Sequence, residues 1–202
     1  MRGFARTLLS FHVLRWVILP LALLAAARGV RGGTISGTVA PPKADSVVYV
    51  NAIPGAHFPA PAKPFSMNQK NLQFQPHVLV VPVGATVEFL NSDPRRHNIF
   101  WPSVNGDEKQ SHNLGTWPQG QTRPFKFTVP GVVPLGCNVH PDMSGFIIVS
   151  PTPYFAVTDA TGAFKITGVP DGAYKVTAWQ EGLKVQTATV SGTAKVGFSL
   201  TK

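Results

Sequence analysis

The sequence predicts an all-β protein, two β-sandwiches behind an N-terminal signal peptide, and three observations carry that prediction. Glycine and proline stand at 19 each in 202 residues, a density of punctuation that suits many short strands. After residue 33, apolar and polar residues alternate with a period of two in short runs bounded by turn signals. No helix of useful length follows residue 33. Apolar content is 44% and charged content 13%, so the chain can bury a core and is not a disordered one.

The formal charge of +9 is concentrated at one end. Arg2, Arg6, Arg15, Arg28 and Arg31 all lie in the first 33 residues, which hold no acid; the remainder carries 13 basic and 9 acidic residues, a net +4. No basic run with interleaved aromatics is present, which argues against nucleic-acid binding. Arg2, Arg6 and Arg15 precede an apolar run from Trp16 to Ala27, and small residues follow. This is the layout of a secretory signal peptide over residues 1–33, with cleavage expected between 27 and 33. The run contains Pro20 and is short for a membrane span, an uncleaved anchor being the alternative. Export is expected, to a periplasm in a Gram-negative cell.

Residues 34–53 read as two strands around a Pro-Pro turn, and residues 54–64 as a proline-rich connection. From Phe65 the texture changes. Residues 65–75 read as an edge strand and its turn. His77–Val83 and Thr86–Leu90 are strands, and Asn91-Ser92-Asp93-Pro94 supplies turn chemistry. A strand continues past His97 through Trp101. Residues 102–124 read as a loop. Pro124–Val129 is a strand, Val132 enters another that ends at Cys137, and Gly145–Val149 closes the unit. Residues 151–202 hold a second all-β unit with turns at 159–162, 169–172 and 181–182. Antiparallel sandwiches are expected throughout.

The chemistry centres on Cys137-Asn138-Val139-His140-Pro141-Asp142-Met143, which holds the only cysteine of the chain. A lone thiol in an oxidising compartment is a liability unless buried or metal-bound. Thiol, imidazole and thioether recur at intervals of three, short enough for one tight loop to wrap one ion, and His97 stands 40 residues upstream. Two imidazoles, one thiolate and a weak thioether are the donor set of a blue-copper site, where a rigid frame lets the metal change charge with little rearrangement. Zinc is the rival metal, for which methionine is an unusual ligand. Asp142 is an alternative hard donor, or a loop cap facing water. His57, His77 and His112 lack partners at comparable spacing and read as surface or core residues, and Met67 reads as core. Glu88 and Asp93 have no evident nucleophile or base beside them. Ser103 and Ser111 lack an elbow motif, and no phosphate-cradling glycine loop occurs.

Phe74-x-Pro76-x-x-Leu79-x-Val81-x-x-Gly84-x-x-Val87-x-Phe89-x-Asn91-x-Asp93, then His97-Asn98, then Cys137-x-x-His140-x-x-Met143, together resemble the cupredoxins of the plastocyanin and amicyanin type over residues 65–150. The resemblance implies a Greek-key sandwich and a mononuclear type 1 copper held by His97, Cys137, His140 and Met143. It also implies that Asn98 ties the two ligand segments together and that His140 is the partly exposed exit for electrons. The flanks resemble a carboxypeptidase regulatory-like, prealbumin-like sandwich, through Gly33-Thr34-Ile35-Ser36-Gly37-Thr38-Val39 and through Thr158–Tyr174. Either one sandwich is inserted into the other, or the two share the N-terminal strands. The arrangement also resembles exported proteins labelled methylamine-utilisation-like.

The leading expectation is an exported one-electron carrier and not an enzyme, monomeric and serving a redox partner protein. Copper sequestration or delivery is one alternative; the presence of only three methionines, Met1 among them, argues against it. An adhesion or scaffold module with incidental copper is the other.

Overall fold

The computed structural model describes residues 32–202. The expected signal peptide, residues 1–33, lies outside the described residues apart from Gly32 and Gly33, and Gly33 is buried in the first strand. Sixteen strands follow. In chain order they are β1 (Gly33–Ala40), β2 (Val47–Val50), β3 (Phe65–Lys70), β4 (Gln73–Gln75), β5 (Val78–Pro82), β6 (Thr86–Asn91), β7 (His97–Trp101) and β8 (His112–Trp117). Then come β9 (Thr122–Lys126), β10 (Gly131–Gly136), β11 (Ser144–Ser150), β12 (Phe155–Val157), β13 (Ala163–Val169), β14 (Ala173–Trp179), β15 (Gln186–Ser191) and β16 (Ala194–Ser199).

The strands form four sheets. Sheets β4-β3-β6-β9 and β5-β11-β10-β7-β8 use only the middle of the chain, and sheets β12-β2-β14-β15 and β13-β1-β16 use its two ends. Of the two arrangements left open by the sequence, the structure therefore takes insertion: β1 and β2 complete the C-terminal sandwich, and the β3–β11 sandwich is spliced between β2 and β12.

Burial explains why some strands alternate and others do not. Met67, Phe74, Val87 and Phe89 meet Ile99, Trp117, Leu135, Ile147 and Val149 in the core of the inserted sandwich. Ile35, Ile166 and Phe198 meet Val48, Val50 and Val176 in the flanking one. A third apolar layer joins them: Val78, Val80 and Ile148 of the inserted sandwich pack on Val47 and Trp179 of the flanking one. β5 and β11 thus lie between two layers, which is why both read as unbroken apolar runs. Successive side chains of β5 serve opposite layers, Val80 the seam and Val81 the inserted core, as strand pleating requires.

Two expectations need correction. The sheets are mixed, since β3 pairs with β6, β5 with β11 and β1 with β16 in parallel. Parallel neighbours cannot be joined by a hairpin, so such pairs are remote in sequence and leave no local signal. Residues 102–124 are not a plain loop: a short 3-10 turn at Glu108–Gln110 leads into β8, and β9 begins at Thr122. β8 is exposed on both faces over most of its length, so it carries no apolar alternation to read.

Candidate metal centre

Residues from three strand ends meet at one end of the inserted sandwich. His97 opens β7. Cys137 follows directly on β10, whose last residue, Gly136, pairs with Phe100 of β7. That pairing brings residues 40 positions apart onto neighbouring strands. A Cβ at Gly136 would lie 2.8 Å from Cε1 and Cζ of the Phe100 ring, so the closest fit of the two strands relies on glycine. His140 and Met143 lie in the turn between β10 and β11, where the Met143 amide donates to the His140 carbonyl at 3.0 Å.

His97, Cys137 and His140 each bring one donor atom within 4.8 Å of the other two. Cys137 Sγ lies 4.0 Å from His97 Nδ1, and His140 Nδ1 lies 3.1 Å from that same nitrogen. An ion bound about 2.0–2.3 Å from nitrogen and sulfur donors needs them roughly 3–4 Å apart, so the spacing suits one shared ion. His97 and Cys137 are buried, and His140 is half-buried. Met143 is also buried and belongs to the same core cluster as Cys137.

The chain is similar in sequence to amicyanin-alpha of Methylorubrum extorquens, 29% identical over 90 residues, which cover 45% of this chain and 75% of that protein. The chain contains a cupredoxin-like domain. Among solved structures, a reduced tryptophan-to-tyrosine variant of amicyanin is 22% identical, covering 45% of this chain and 85% of its own, with a TM-score of 0.41. A purple cupredoxin from Nitrosopumilus maritimus is 29% identical over 43% of this chain and 99% of its own, TM-score 0.38. A copper-containing nitrite reductase from Thermus scotoductus is 30% identical over 49% of this chain and 25% of its own, TM-score 0.40. Residues 149–196 match the family described as polysaccharide lyase family 4, domain II. That match lies in the flanking sandwich apart from the last residues of β11.

Within the cupredoxin-like domain, the tautomer of His97 follows from its other side. Its Nε2 lies 2.8 Å from Oδ2 of Asp93. An ionised carboxylate only accepts, so Nε2 carries the proton and Nδ1 presents a lone pair to Cys137 and His140. Burial pushes the Asp93 carboxyl up, but the amides of Leu72 and Asn71 together with His97 outweigh it and hold the group below its ordinary value. Those amides donate at 3.0 and 2.7 Å. Asn71 and Leu72 both have left-handed backbones, φ 57° and 59°, the conformation of a tight hairpin turn, and the carboxylate anchors that turn.

Asn98 joins three segments. Its amide donates to Cys137 Sγ at 3.4 Å, and its Oδ1 accepts from the Asn138 amide at 3.2 Å. Its Nδ2 donates to Asn113 Oδ1 and to the Gly115 carbonyl, each at 2.8 Å. The single amide that donates to the Cys137 sulfur holds it in place.

The remaining candidates lie elsewhere. Asp142 is exposed and lines a groove of about 280 Å³ with Leu72, Phe74, His77 and Met143. His57 is exposed, and Met67 is core. His112 stacks on Trp101 and Phe125, with ring centroids 5.2 and 4.7 Å away. His77 joins the two sandwiches through Glu181, Nε2 to Oε2 at 3.0 Å. The expectation that Asp93 has no base beside it needs correction: the imidazole of His97, at i+4, is its partner, an offset that the turn chemistry of Asn91-Ser92-Asp93-Pro94 hides.

The donor set fits copper. The Cys137 sulfur satisfies Cu(I), the two imidazoles satisfy Cu(II), and the buried sulfur is shielded from oxidation. No carboxylate joins the three-residue donor group, as a hard cation would require.

Proposed function

We propose that this chain is an exported type 1 copper protein that carries single electrons, in which His97, Cys137 and His140 would hold the metal strongly and Met143 weakly. The observation that carries the reading is the Nδ1-to-Nδ1 approach of His97 and His140 at 3.1 Å beside a buried thiol. When bound, copper supplies a reversible one-electron couple. The chain's residues do the rest. Asp93 holds the His97 proton on the far nitrogen, and Asn98 fixes Cys137 and the turn after it, so donors need not move between oxidation states. Core burial of Cys137 and Met143 keeps water from both sulfurs.

Half-buried His140 gives electrons a short path to solvent, where a partner protein would meet it. Four protein donors would leave no vacant position for a substrate, and the Asp93 carboxylate is committed to His97 and two amides, so the chain is read as a carrier and not an enzyme. The segment 1–33 and the likeness to amicyanin favour an exported, periplasmic setting. Nothing in the charge pattern favours nucleic acid, and a monomer is expected.

Copper-loaded, oxidised protein should show an intense visible thiolate-to-copper band and a reversible voltammetric wave. Cys137→Ser should abolish the band. A colourless wild type with bound copper would overturn the reading. A coloured protein without reversible voltammetry would shift it to copper storage or delivery.

A further inference from the structure

We propose that Arg95, Arg96 and Arg123 form a docking surface for an acidic protein, where loop 92–96 of the cupredoxin-like domain meets the end of β8 and the start of β9. All three side chains are exposed, and none is in an ion pair among the described residues. The nearest carboxylate in sequence, Asp93, is buried and committed to His97 and two amides.

The three are set on ordered backbone. Arg96 Nη2 donates to the Thr116 carbonyl at 3.2 Å. The Arg123 guanidinium carbon lies 5.8 Å from the ring centroid of Trp117, a cation–π placement. The side chain of Asn91 donates to the carbonyls of Arg95 and Trp117, at 2.8 and 3.1 Å, and so stitches the arginine loop to the end of β8. Gln119 closes the same seam by donating to the Ser92 carbonyl at 2.9 Å. Loop 92–96, the end of β8 and the start of β9 therefore present their guanidinium groups from one fixed base.

Like charges gathered without an ion pair among the described residues cost free energy in the lone chain, even with Glu88 on the strand beside Arg123, and a carboxylate-bearing partner recovers it through planar, charge-assisted contacts. The same field steers such a partner during approach. Trp117 is the ladder partner of His97, so a protein docked here would stand over the backbone neighbour of that ligand. This consequence rests on the electron-carrier reading; the docking surface itself does not.

The test is a titration of isotope-labelled whole chain, Cu(I)-loaded and metal-free, with short poly-L-glutamate at low ionic strength. Amide and side-chain signals of Arg95, Arg96, Thr116, Trp117 and Arg123 should shift in both forms. Because the readout is resolved by residue, the arginines of segment 1–33 do not confuse it. R95Q/R96Q/R123Q should weaken binding about tenfold, and about 1 M salt should remove the difference. R95Q alone, which breaks no side-chain hydrogen bond of the described residues, should weaken it in the same direction. Shifts elsewhere, or unchanged affinity in the triple variant, would overturn the proposal. Arginine-dependent sedimentation with phosphatidylglycerol vesicles without poly-L-glutamate binding would also overturn it, in favour of a lipid surface. A colourless copper protein with the expected shifts would sink the electron-carrier reading and leave the surface standing.

Discussion

Oδ2 of Asp93 and Nε2 of His97 lie 2.8 Å apart, four residues along one loop, with neither side chain open to solvent by more than a tenth. The contact links the β3–β4 turn to the candidate metal centre, because the same carboxylate accepts the amides of Asn71 and Leu72. Removing it should act on both. Asp93→Ala is expected to lower copper affinity about 10–100-fold, as loss of a ligand-orienting partner does. It should also cost about 1–3 kcal/mol through the amides left unpaired. Chelator competition and denaturant unfolding of the metal-free protein read the two effects separately.

Gly136 allows β10 to lie against Phe100. Gly136→Ala should destabilise the protein by about 1–3 kcal/mol, since the ring must move to admit a methyl group. It should also shift the visible band, because Cys137 is the next residue. Phe100→Ala removes the ring, so the same glycine substitution made in that background should cost less than it does alone. Equal costs in both backgrounds would show that the ring is not the obstacle.

Glu181 gives a pH dependence with a definite sign. Burial pushes its carboxyl up, but His77 and Lys43 outweigh that and hold it below the ordinary value of 4.5. A carboxyl depressed on folding contributes stability that is fully present above its unfolded value and is lost as pH falls through the folded one. Acid unfolding curves of Glu181→Gln should therefore be flatter than wild type below about pH 4.5. The side chain is 34% exposed, so the effect is small, and a variant indistinguishable from wild type at neutral pH but steeper in acid would contradict the sign.

Trp179 anchors the seam between the sandwiches, packed on Val78, Val80 and Ile148, with its ring 5.1 Å from that of Phe146. Trp179→Ala should cost about 3–5 kcal/mol, the usual range for a buried aromatic. Calorimetry should resolve two transitions where wild type gives one, with the copper band following only one of them. A single, merely lowered transition would mean the sandwiches stay coupled without this ring.

The approach of Cys137 and His140 was legible in the sequence because it depends on residue type at short spacing: the two stand three residues apart in one turn. His97 needed a fold to bring it near, and the alternation of 86–90 with the strand after it implied one. Asp93 was not legible, since its turn-forming role hides its contact with the imidazole. The bridging role of His77 was hidden as well, because its partner, Glu181, lies on the far sandwich. β8 escaped notice for a different reason: an edge strand wet on both faces has no period to display. The parallel pairs β3/β6, β5/β11 and β1/β16 are settled by long-range closure, about which local pattern is silent.

Splicing one sandwich into another also sets an order of assembly. All nine strands from β3 to β11 are present once residue 150 has been synthesised, whereas β1 must wait for β13 and β16. At synthesis rates of about 5–20 residues per second, the 49 residues from 150 to 199 take roughly 2–10 seconds. The inserted half thus needs no strand from either end of the chain to complete its own sheets, and its outer face, Val78, Val80 and Ile148 foremost, is the one on which the flanking half packs.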